Sequence, residues 1–266
     1  MSDAMLGFVG AGNMAEAIAR SAISAGVLRP DQMMAADPSA QRLAVFEAMG
    51  ARVADSNDEL VRACSQVMLS IKPQVLTKIA SELKGLGDEH IVISIMAGMG
   101  TTKIADAVGK RLRVVRVMPN TPVMVGKGMA GVCLGPDARE GDDELTVRLF
   151  EAGGEVVRID ESLMDAVTAV SGSGPAYLFY LAEAMMEAAG VVGLEDDAQK
   201  LVRQTLSGAA ELLARSDESA ADLRRRVTSP GGTTEAAINT LDAAGVRQAI
   251  VKAIVAAQDR GRELGE

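Results

Sequence analysis

The stretch Phe8-Val-Gly-Ala-Gly-Asn-Met-Ala15 decides the fold that we predict for this chain. It joins an apolar run to a helical pattern, which predicts a strand, a turn and a helix start. Gly10 permits a tight turn, Gly12 lets the backbone approach a pyrophosphate, and the small Ala15 lets the helix pack on the strand. We therefore favour a dinucleotide-binding turn over a purely structural one. Its predicted cofactor-binding residues are Gly10, Ala11, Gly12, Asn13 and Met14.

Short apolar runs alternate with helical segments along roughly the first 160 residues. Several runs are continuously hydrophobic, which is typical of parallel strands buried on both faces. We therefore predict an α/β domain over residues 1–160 with a Rossmann-type doubly wound sheet. Its strand candidates are residues 5–10, 32–36, 51–53, 67–71, 91–95, 113–118, 129–134 and 155–158.

The sequence changes character after about residue 160. Long segments rich in Ala, Leu, Glu and Arg replace the strand-like runs and predict an all-helical C-terminal domain over residues 161–266. A second copy of the chain could complete the apolar surface of so small a helical domain. The helix candidates are residues 161–170, 175–189, 196–215, 219–227, 233–243 and 246–264.

The composition argues against several classes of function. A formal net charge of −9 disfavours nucleic acids and anionic membranes as partners, and 2% aromatic residues disfavour base stacking. One histidine and two cysteines are too few for a zinc cage or a Ser-His-Asp triad, so no metal is predicted. We expect Cys64 and Cys133 to be buried thiols of a cytoplasmic protein, and His90 to lie at the entrance of a strand.

A second glycine turn, Ser229-Pro-Gly-Gly-Thr-Thr-Glu235, lies within the helical part. Proline breaks the incoming helix, the glycines open the backbone, and Thr233 or Thr234 can cap the next helix. Unpaired N–H groups at a helix start bind anions, including carboxylates. Alone, the stretch is more typical of an ordinary turn between helices. Together with the first turn, it suggests a site for a small acid beside a dinucleotide.

The second predicted strand ends at Asp37, 22 residues after Ala15. An acid near this position holds the ribose 2′-hydroxyl of NAD and would repel the 2′-phosphate of NADP. Ser39 and Arg42 lie just beyond and could instead receive that phosphate. Asp37 could equally cap a helix before Pro38, so the choice between NAD and NADP stays open. Ser39 is the predicted cap of the second helix.

Three further loops contain candidate functional residues. Ser70, Ile71, Lys72 and Pro73 follow a strand and face the predicted cofactor crevice, an edge that Asn57 could share. The loop Arg116-Val-Met-Pro-Asn-Thr-Pro122 is equally compatible with a structural turn and a site loop. The stretch Ser171-Gly-Ser-Gly-Pro175 interrupts a helical pattern at a cost in helix stability. That cost fits the close approach of a ligand or of another backbone, and a tight helix-helix crossing would equally need small residues.

The chain resembles the pyrroline-5-carboxylate reductase family in six pieces that occur in the family's order and spacing and cover nearly the whole sequence. Besides the first turn, these are Ser70–Pro73, Ile93-Ser-Ile-Met-Ala-Gly98, Arg116–Pro122, Ser171-Gly-Ser-Gly-Pro-Ala-Tyr177 and Val227-Thr-Ser-Pro-Gly-Gly-Thr-Thr234. The last two are the most specific. Met96 departs from the family pattern, which usually has a smaller residue there.

The resemblance implies reduction of 1-pyrroline-5-carboxylate to L-proline, the final step of proline biosynthesis. NADP(H) is the favoured cofactor and NAD(H) the alternative, with Ala97 and Gly98 among the cofactor-binding residues. It also implies that the helical domains interlock in a homodimer, with a larger ring of dimers as a further assembly. We expect Thr234 to be the catalytic residue, through a hydrogen bond to the ring nitrogen. The predicted substrate-binding residues are Ser173, Gly174, Ser229, Gly232, Thr233 and Thr234.

Two alternatives compete with this interpretation. A β-hydroxyacid dehydrogenase or another imine reductase could use the same scaffold. The hydroxyacid enzymes usually rely on a lysine in the helical domain, and neither Lys200 nor Lys252 has a matching setting. A nucleotide-sensing protein would need the first turn but not the stretch from Ser229 to Thr234.

Overall fold

One mixed sheet dominates the first part of the computed structural model, which describes residues 4–265. Its strand order is β3-β2-β1-β4-β5-β6-β7-β8. The order reverses between β1 and β4, and ligands of doubly wound folds bind at such a point, beyond the carboxyl ends of the strands. The strands are β1 (Ala4–Val9), β2 (Met33–Ala36), β3 (Arg52–Val53), β4 (Cys64–Leu69), β5 (Ile91–Ser94), β6 (Arg113–Pro119), β7 (Gly128–Leu134) and β8 (Gly154–Arg158).

Helices lie between many of the strands in the first part of the chain, and further helices make up the part after β8. They are α1 (Asn13–Ser24), α2 (Ala40–Ala48), α3 (Asn57–Ala63), α4 (Pro73–Ile79), α5 (Thr101–Val108), α6 (Glu144–Glu151), α7 (Met164–Val167), α8 (Gly174–Val191), α9 (Ala198–Arg215), α10 (Ala220–Arg226), α11 (Thr233–Ala243) and α12 (Val246–Gly265). The predicted fold class, a Rossmann-type sheet followed by a helical part, is confirmed.

The chain divides into two compact units. One contains the residues up to Ser173 together with those from Ala257 onward, and the other is Gly174–Ala256. The domain boundary between residues 160 and 161 stays a prediction.

The core of the sheet unit explains why its strands are continuously hydrophobic. Phe8 belongs to a buried cluster on one face of the sheet, and its neighbour Val9 belongs to the cluster on the other face. Met33 and Met34 alternate in the same way on β2. Both faces are therefore covered, as expected when successive side chains point in opposite directions.

The direction of β7 differs from the prediction of a parallel sheet. It runs antiparallel to β6, whereas β8 is parallel to β7. Between β6 and β7 the chain makes a short 3₁₀ turn, Thr121–Val125, and reverses at Gly126, whose φ is +70°. A parallel crossover needs a dozen or more residues, so this connection can only join antiparallel strands.

A π-helix, Thr168–Gly172, precedes α8 and replaces part of the regular helix predicted over residues 161–170. A Cβ atom at Gly172 would lie 2.5 Å from Cε of Met118, whereas one at Gly174 would meet nothing within 4 Å. The close neighbour of Gly172 is therefore a side chain of β6, not one of the partners suggested by the sequence.

The helical unit exposes many large apolar side chains. On α8 the exposed fractions are 64% for Phe179 and 77% for Tyr180, with Leu178 and Leu181 also exposed. Large exposed apolar patches mark interaction surfaces. Among residues 4–265, no helix combines the length and the apolar character needed to cross a membrane.

Candidate functional site

The first glycine turn lies at the carboxyl end of β1, beside the point where the strand order reverses. Gly10 has φ +94°, and a Cβ atom there would lie 2.8 Å from the backbone oxygen of Ser70. Gly12 is the N-cap of α1, and a Cβ atom there would meet nothing within 4 Å. Among the described residues, no acceptor takes the backbone N–H groups of Gly12, Asn13 and Met14. The turn therefore has the open approach and unpaired donors that a pyrophosphate needs.

Asp37 ties this turn to the start of α2. Its Oδ2 accepts a hydrogen bond from the Ala11 N–H at 2.7 Å, and its Oδ1 accepts one from the Ser39 N–H at 2.8 Å. Ser39 is the N-cap of α2 as predicted, since its hydroxyl accepts from the Arg42 N–H at 3.4 Å. Both oxygens of Asp37 thus already hold backbone groups, although each retains a lone pair for a ligand hydroxyl.

Arg42 holds the same turn from its other side, through a contact that the sequence did not reveal. Its Nε donates to the Ala11 carbonyl at 2.6 Å, and its terminal nitrogen donates to Glu16 Oε2 at 2.8 Å. Arg20 also donates to Glu16, at 2.9 Å. Hydrogen bonds from Arg20 and Arg42 lower the pKa of Glu16 below its ordinary value. The four-residue spacing of Glu16 and Arg20 was a visible signal, but the partner on α2 was not.

The loop after β4 forms the opposite side of the crevice. The Ser70 hydroxyl donates to the Gly10 carbonyl at 2.6 Å, which joins the two loops. Lys72 is the exposed N-cap of α4, with Pro73 as the first helical residue. The next loop along this edge, after β5, carries Ala97 and Gly98. The predicted cofactor residues therefore lie at one edge of the sheet, with Pro73 at the start of α4 and the others on the loops: Ser70, Ile71, Lys72, Ala97 and Gly98.

Two other predicted positions have protein partners. The Asn57 amide donates to Glu82 at 2.7 Å, which uses one of its two N–H groups. The buried Asn120 amide donates to the Ser171 carbonyl at 3.1 Å and accepts from the Met129 N–H at 2.9 Å. Asn120 thus joins the end of β6, the start of β7 and the π-helix. The structural interpretation of this loop is favoured over a ligand contact.

Met96 lies in the core of the sheet unit rather than at its surface, with an exposed fraction of 2%. It packs in the cluster on the Val9 face of the sheet. Ser94, at the end of β5, accepts a hydrogen bond from the Met96 N–H at 3.3 Å. The departure from the family pattern is therefore accommodated as core packing.

The second glycine turn precedes α11 in the helical unit, but its cap differs from the prediction. Gly232 is the N-cap, and Thr233 and Thr234 are the first two helical residues, so the predicted threonine cap is wrong. The Gly231 N–H donates to Glu235 Oε2 at 2.8 Å, and Gly231 has φ +71°. Glycine takes the cap position because it has no side chain to fit between Ser229 and the helix: a Cβ atom would lie 2.9 Å from the Ser229 hydroxyl.

The donors of this turn also differ in part from those predicted. The Gly232 N–H donates to the Ser229 carbonyl at 3.0 Å and is therefore not an open donor for a carboxylate. Within residues 4–265, the N–H groups and hydroxyls of Thr233 and Thr234 donate to no acceptor. Two unpaired N–H groups at the start of an 11-residue helix can bind an anion.

Comparisons with known proteins find related sequences along nearly the full length of the chain. The model described as "Pyrroline-5-carboxylate reductase dimerisation" matches residues 161–264, and the one described as "NADP oxidoreductase coenzyme F420-dependent" matches residues 5–98. A pyrroline-5-carboxylate reductase of Arabidopsis thaliana is 40% identical over 264 residues, which cover 98% of this chain and 95% of the relative. The chain belongs to the pyrroline-5-carboxylate reductase family.

Solved structures of other family members share the whole fold. A pyrroline-5-carboxylate reductase from Coxiella burnetii matches with a TM-score of 0.91 and 34% identity, covering 100% of both chains. A pyrroline carboxylate reductase from Plasmodium falciparum, solved with NADP bound, matches with a TM-score of 0.87 and 29% identity, again covering 100% of both chains. The family fold thus includes both units of this chain.

His90, Cys64 and Cys133 have structural roles in this member of the reductase family. The Gly87 N–H donates to Nδ1 of the buried His90 at 3.1 Å, so Nε2 carries the proton and donates to the Val61 carbonyl at 3.1 Å. As predicted, His90 directly precedes a strand, β5. Cys64 and Cys133 are buried as predicted, and burial raises the pKa of Cys133 to about 11. Among the described residues, no cluster of His, Cys, Asp and Glu suits a metal ion.

Proposed function

We propose that this chain catalyses the NAD(P)H-dependent reduction of 1-pyrroline-5-carboxylate to L-proline, the final step of proline biosynthesis. The observation that carries the proposal is its 40% identity, over 98% of the chain, to a pyrroline-5-carboxylate reductase. An open glycine turn at the reversal of the strand order supports the cofactor part of the proposal.

The cofactor would occupy the crevice between the loops after β1, β4 and β5. The unpaired N–H groups at the start of α1 bind its pyrophosphate. Bound there, the reduced nicotinamide supplies the hydride that adds to the imine carbon. We propose that NADP(H) is favoured and that NAD(H) is also accepted. One observation supports this preference: Ser39 bonds to Asp37 and Arg42 bonds to the same turn, so both lie where they can receive a 2′-phosphate.

The substrate is a cyclic imine that bears a carboxylate. We assign the carboxylate to the Thr233 and Thr234 N–H groups and the Ser229 hydroxyl, with Ser173 and Gly174 at the junction of cofactor and substrate. The Thr234 hydroxyl, which has no partner among residues 4–265, orients the ring nitrogen. A threonine hydroxyl is a weak acid, and the imine can take its proton from water near neutral pH. Catalysis therefore depends on alignment of the two reactants.

The assembly that we propose is a homodimer built through the helical part, with a ring of dimers as a further assembly. The match of residues 161–264 to a dimerisation model and the exposed apolar side chains of α8 support it. We also propose a cytoplasmic location, because the two cysteines are buried thiols.

The test is to incubate the purified protein with 1-pyrroline-5-carboxylate and follow the absorbance of NADPH and, separately, of NADH. We expect oxidation of the cofactor that requires the imine, formation of L-proline in equal amount, and the faster rate with NADPH. Cofactor binding without oxidation would contradict the proposed reaction. It would favour a different imine substrate or a nucleotide-sensing role.

A further inference from the structure

Arg42 is the one cation that contacts the phosphate-binding turn directly among the described residues. Its guanidinium bridges α2, where Arg42 is located, to the Ala11 carbonyl and to Glu16 on α1. The side chains of Arg42 and Glu16 are 26% and 24% exposed, so a ligand in the crevice can reach them. The ion pair lies beside the end of β2, where doubly wound folds place the adenosine ribose of a dinucleotide.

We propose that Glu16 sets the selectivity between NADP(H) and NAD(H) by competing with the 2′-phosphate for Arg42. The proposal rests on the proposed function, because it assumes that the crevice binds a nicotinamide dinucleotide. A 2′-phosphate carries up to two negative charges and needs a guanidinium donor. The ribose hydroxyl of NAD carries no charge, so its recognition does not need the positive charge of Arg42.

Glu16 stays an effective competitor near neutral pH. Arg20 and Arg42 both donate to its carboxylate, and these hydrogen bonds keep its pKa below the ordinary value. The carboxylate is therefore ionised near neutral pH while both arginines are bonded to it. A phosphate must share Arg42 with Glu16 or displace it.

Asp37, the other carboxylate in this region, is less suited to adjust selectivity. Its two oxygens hold the Ala11 and Ser39 N–H groups, so its removal would loosen the turn itself. The bond from Arg42 Nε to the Ala11 carbonyl does not involve Glu16, whose carboxylate accepts from a terminal nitrogen of Arg42. Glu16 can therefore change the electrostatics of the subsite without removing the contacts that shape it.

The test measures binding, not turnover. Isothermal titration of NADP⁺ and NAD⁺ into the wild type and Glu16→Gln should show NADP⁺ binding tightened about twofold to tenfold, as expected for releasing a partly exposed ion pair. NAD⁺ affinity should change by less than about twofold on the same grounds. The matched control is Glu47→Gln on α2, which removes the same charge. The Glu47 side chain has no bonded partner between residues 4 and 265, so this variant should leave both affinities unchanged.

A double-mutant cycle distinguishes competition for Arg42 from general electrostatic repulsion between the Glu16 charge and the 2′-phosphate. In an Arg42→Met background, Glu16→Gln should give no gain in NADP⁺ affinity. Equal gains with and without Arg42, or no gain in the single variant, would overturn the proposal. A wild type that binds neither dinucleotide would overturn this proposal and the proposed function together. Selective tightening in Glu16→Gln without any imine turnover would support this proposal and overturn only the proposed reaction.

Discussion

The turn before α1 and the turn before α11 both present unpaired N–H groups, but different parts of the chain hold them. Partners of the first turn come from far along the sequence: Ala11 is held by Asp37 and Arg42, and Gly10 by Ser70. Partners of the second turn are local, because Gly231 bonds to Glu235 and Gly232 to Ser229. Both precede helices of similar length, 12 and 11 residues.

The difference shows which turn depends on the folded domain. The first turn cannot take its shape until α2 and β4 are in place, so its geometry is a property of the whole sheet unit. The second turn is fixed by bonds within its own segment. Changes that break the distant contacts of the first turn should therefore alter folding and cofactor binding together, whereas changes at the second turn should alter substrate binding with little effect on the fold.

The largest effect is expected for Gly10→Ala. The substitution places a methyl group 2.8 Å from the Ser70 oxygen at a residue with φ +94°. We expect the free energy of unfolding to fall by about 1–3 kcal/mol and the affinity for NADPH to fall about 100-fold or more, because the turn must shift away from the pyrophosphate. Urea unfolding and isothermal titration measure the two effects.

The matched control is Gly12→Ala, where φ is −67° and nothing lies within 4 Å of the added Cβ atom. We expect this variant to keep the unfolding free energy of the wild type within about 0.5 kcal/mol. It should still bind NADPH more weakly, because the methyl group occupies the approach of the pyrophosphate. Wild-type stability and affinity in Gly10→Ala would show that the contact with Ser70 does not shape the turn.

Thr234→Ala should have the next largest effect and act at the second turn only. We expect kcat to fall about 10-fold to 100-fold, because the ring nitrogen loses its orienting hydroxyl, with the NADPH dissociation constant unchanged. Steady-state kinetics and titration give both values. Thr240→Ala is the control on the same helix, since the Thr240 hydroxyl donates to the Ala236 carbonyl instead. Unchanged turnover in Thr234→Ala would refute the catalytic assignment.

Glu235→Ala should have a smaller effect on the same turn. It removes the acceptor that holds the Gly231 N–H, so the turn loosens and KM for the imine should rise about threefold to tenfold. Glu235→Gln keeps an oxygen in place to accept that N–H and removes one negative charge beside an anionic substrate, so KM should not rise. A KM for Glu235→Ala equal to that of the wild type would mean that the hydrogen bond from Gly231 to Glu235 is not needed to hold the turn in place for substrate binding.

The smallest effect is expected from pH at the first turn. Hydrogen bonds lower the pKa of Glu16. The ion pair of its carboxylate with Arg42 is therefore fully present above the ordinary pKa of a glutamate and is lost only as the pH falls through the lowered value. The NADP⁺ affinity ratio between Glu16→Gln and the wild type should therefore change by less than about twofold from pH 6.5 to pH 8. A ratio that falls steeply across this range, measured by titration, would show that another group controls Arg42.

The amino-acid sequence is sufficient to predict the features that depend on local pattern. Strands β1 and β2 are covered on both faces and are continuous apolar runs, such as the one that ends at Val9. The cap at Ser39 and the turn at Gly10 follow from the conformational preferences of single residues. These local signals are enough to locate the sheet, the helical part and the cofactor loops along the chain.

Features that depend on distant partners were not predictable. The hydrogen bond of Asp37 joins residues 26 apart and that of Arg42 joins residues 31 apart, and nothing local selects those partners. The direction of β7 follows from the geometry of the short Thr121–Val125 turn, not from its apolar residues. At the second turn, composition suggested a threonine cap, but the space beside Ser229 admits only Gly232.

The π-helix at Thr168–Gly172 has a consequence for how insertions and deletions accumulate in this family. A π-turn contains one residue more than the α-helical turn that could replace it, and one residue corresponds to about 100° of rotation around a helix. Deleting a single residue there would restore a regular α-helix and rotate Ser171 away from the Asn120 amide that now binds it. Because one α-turn then replaces one π-turn, the helical phase beyond it is kept, and an aligned gap at these five positions marks the loss of this Ser171 contact rather than a shortened loop.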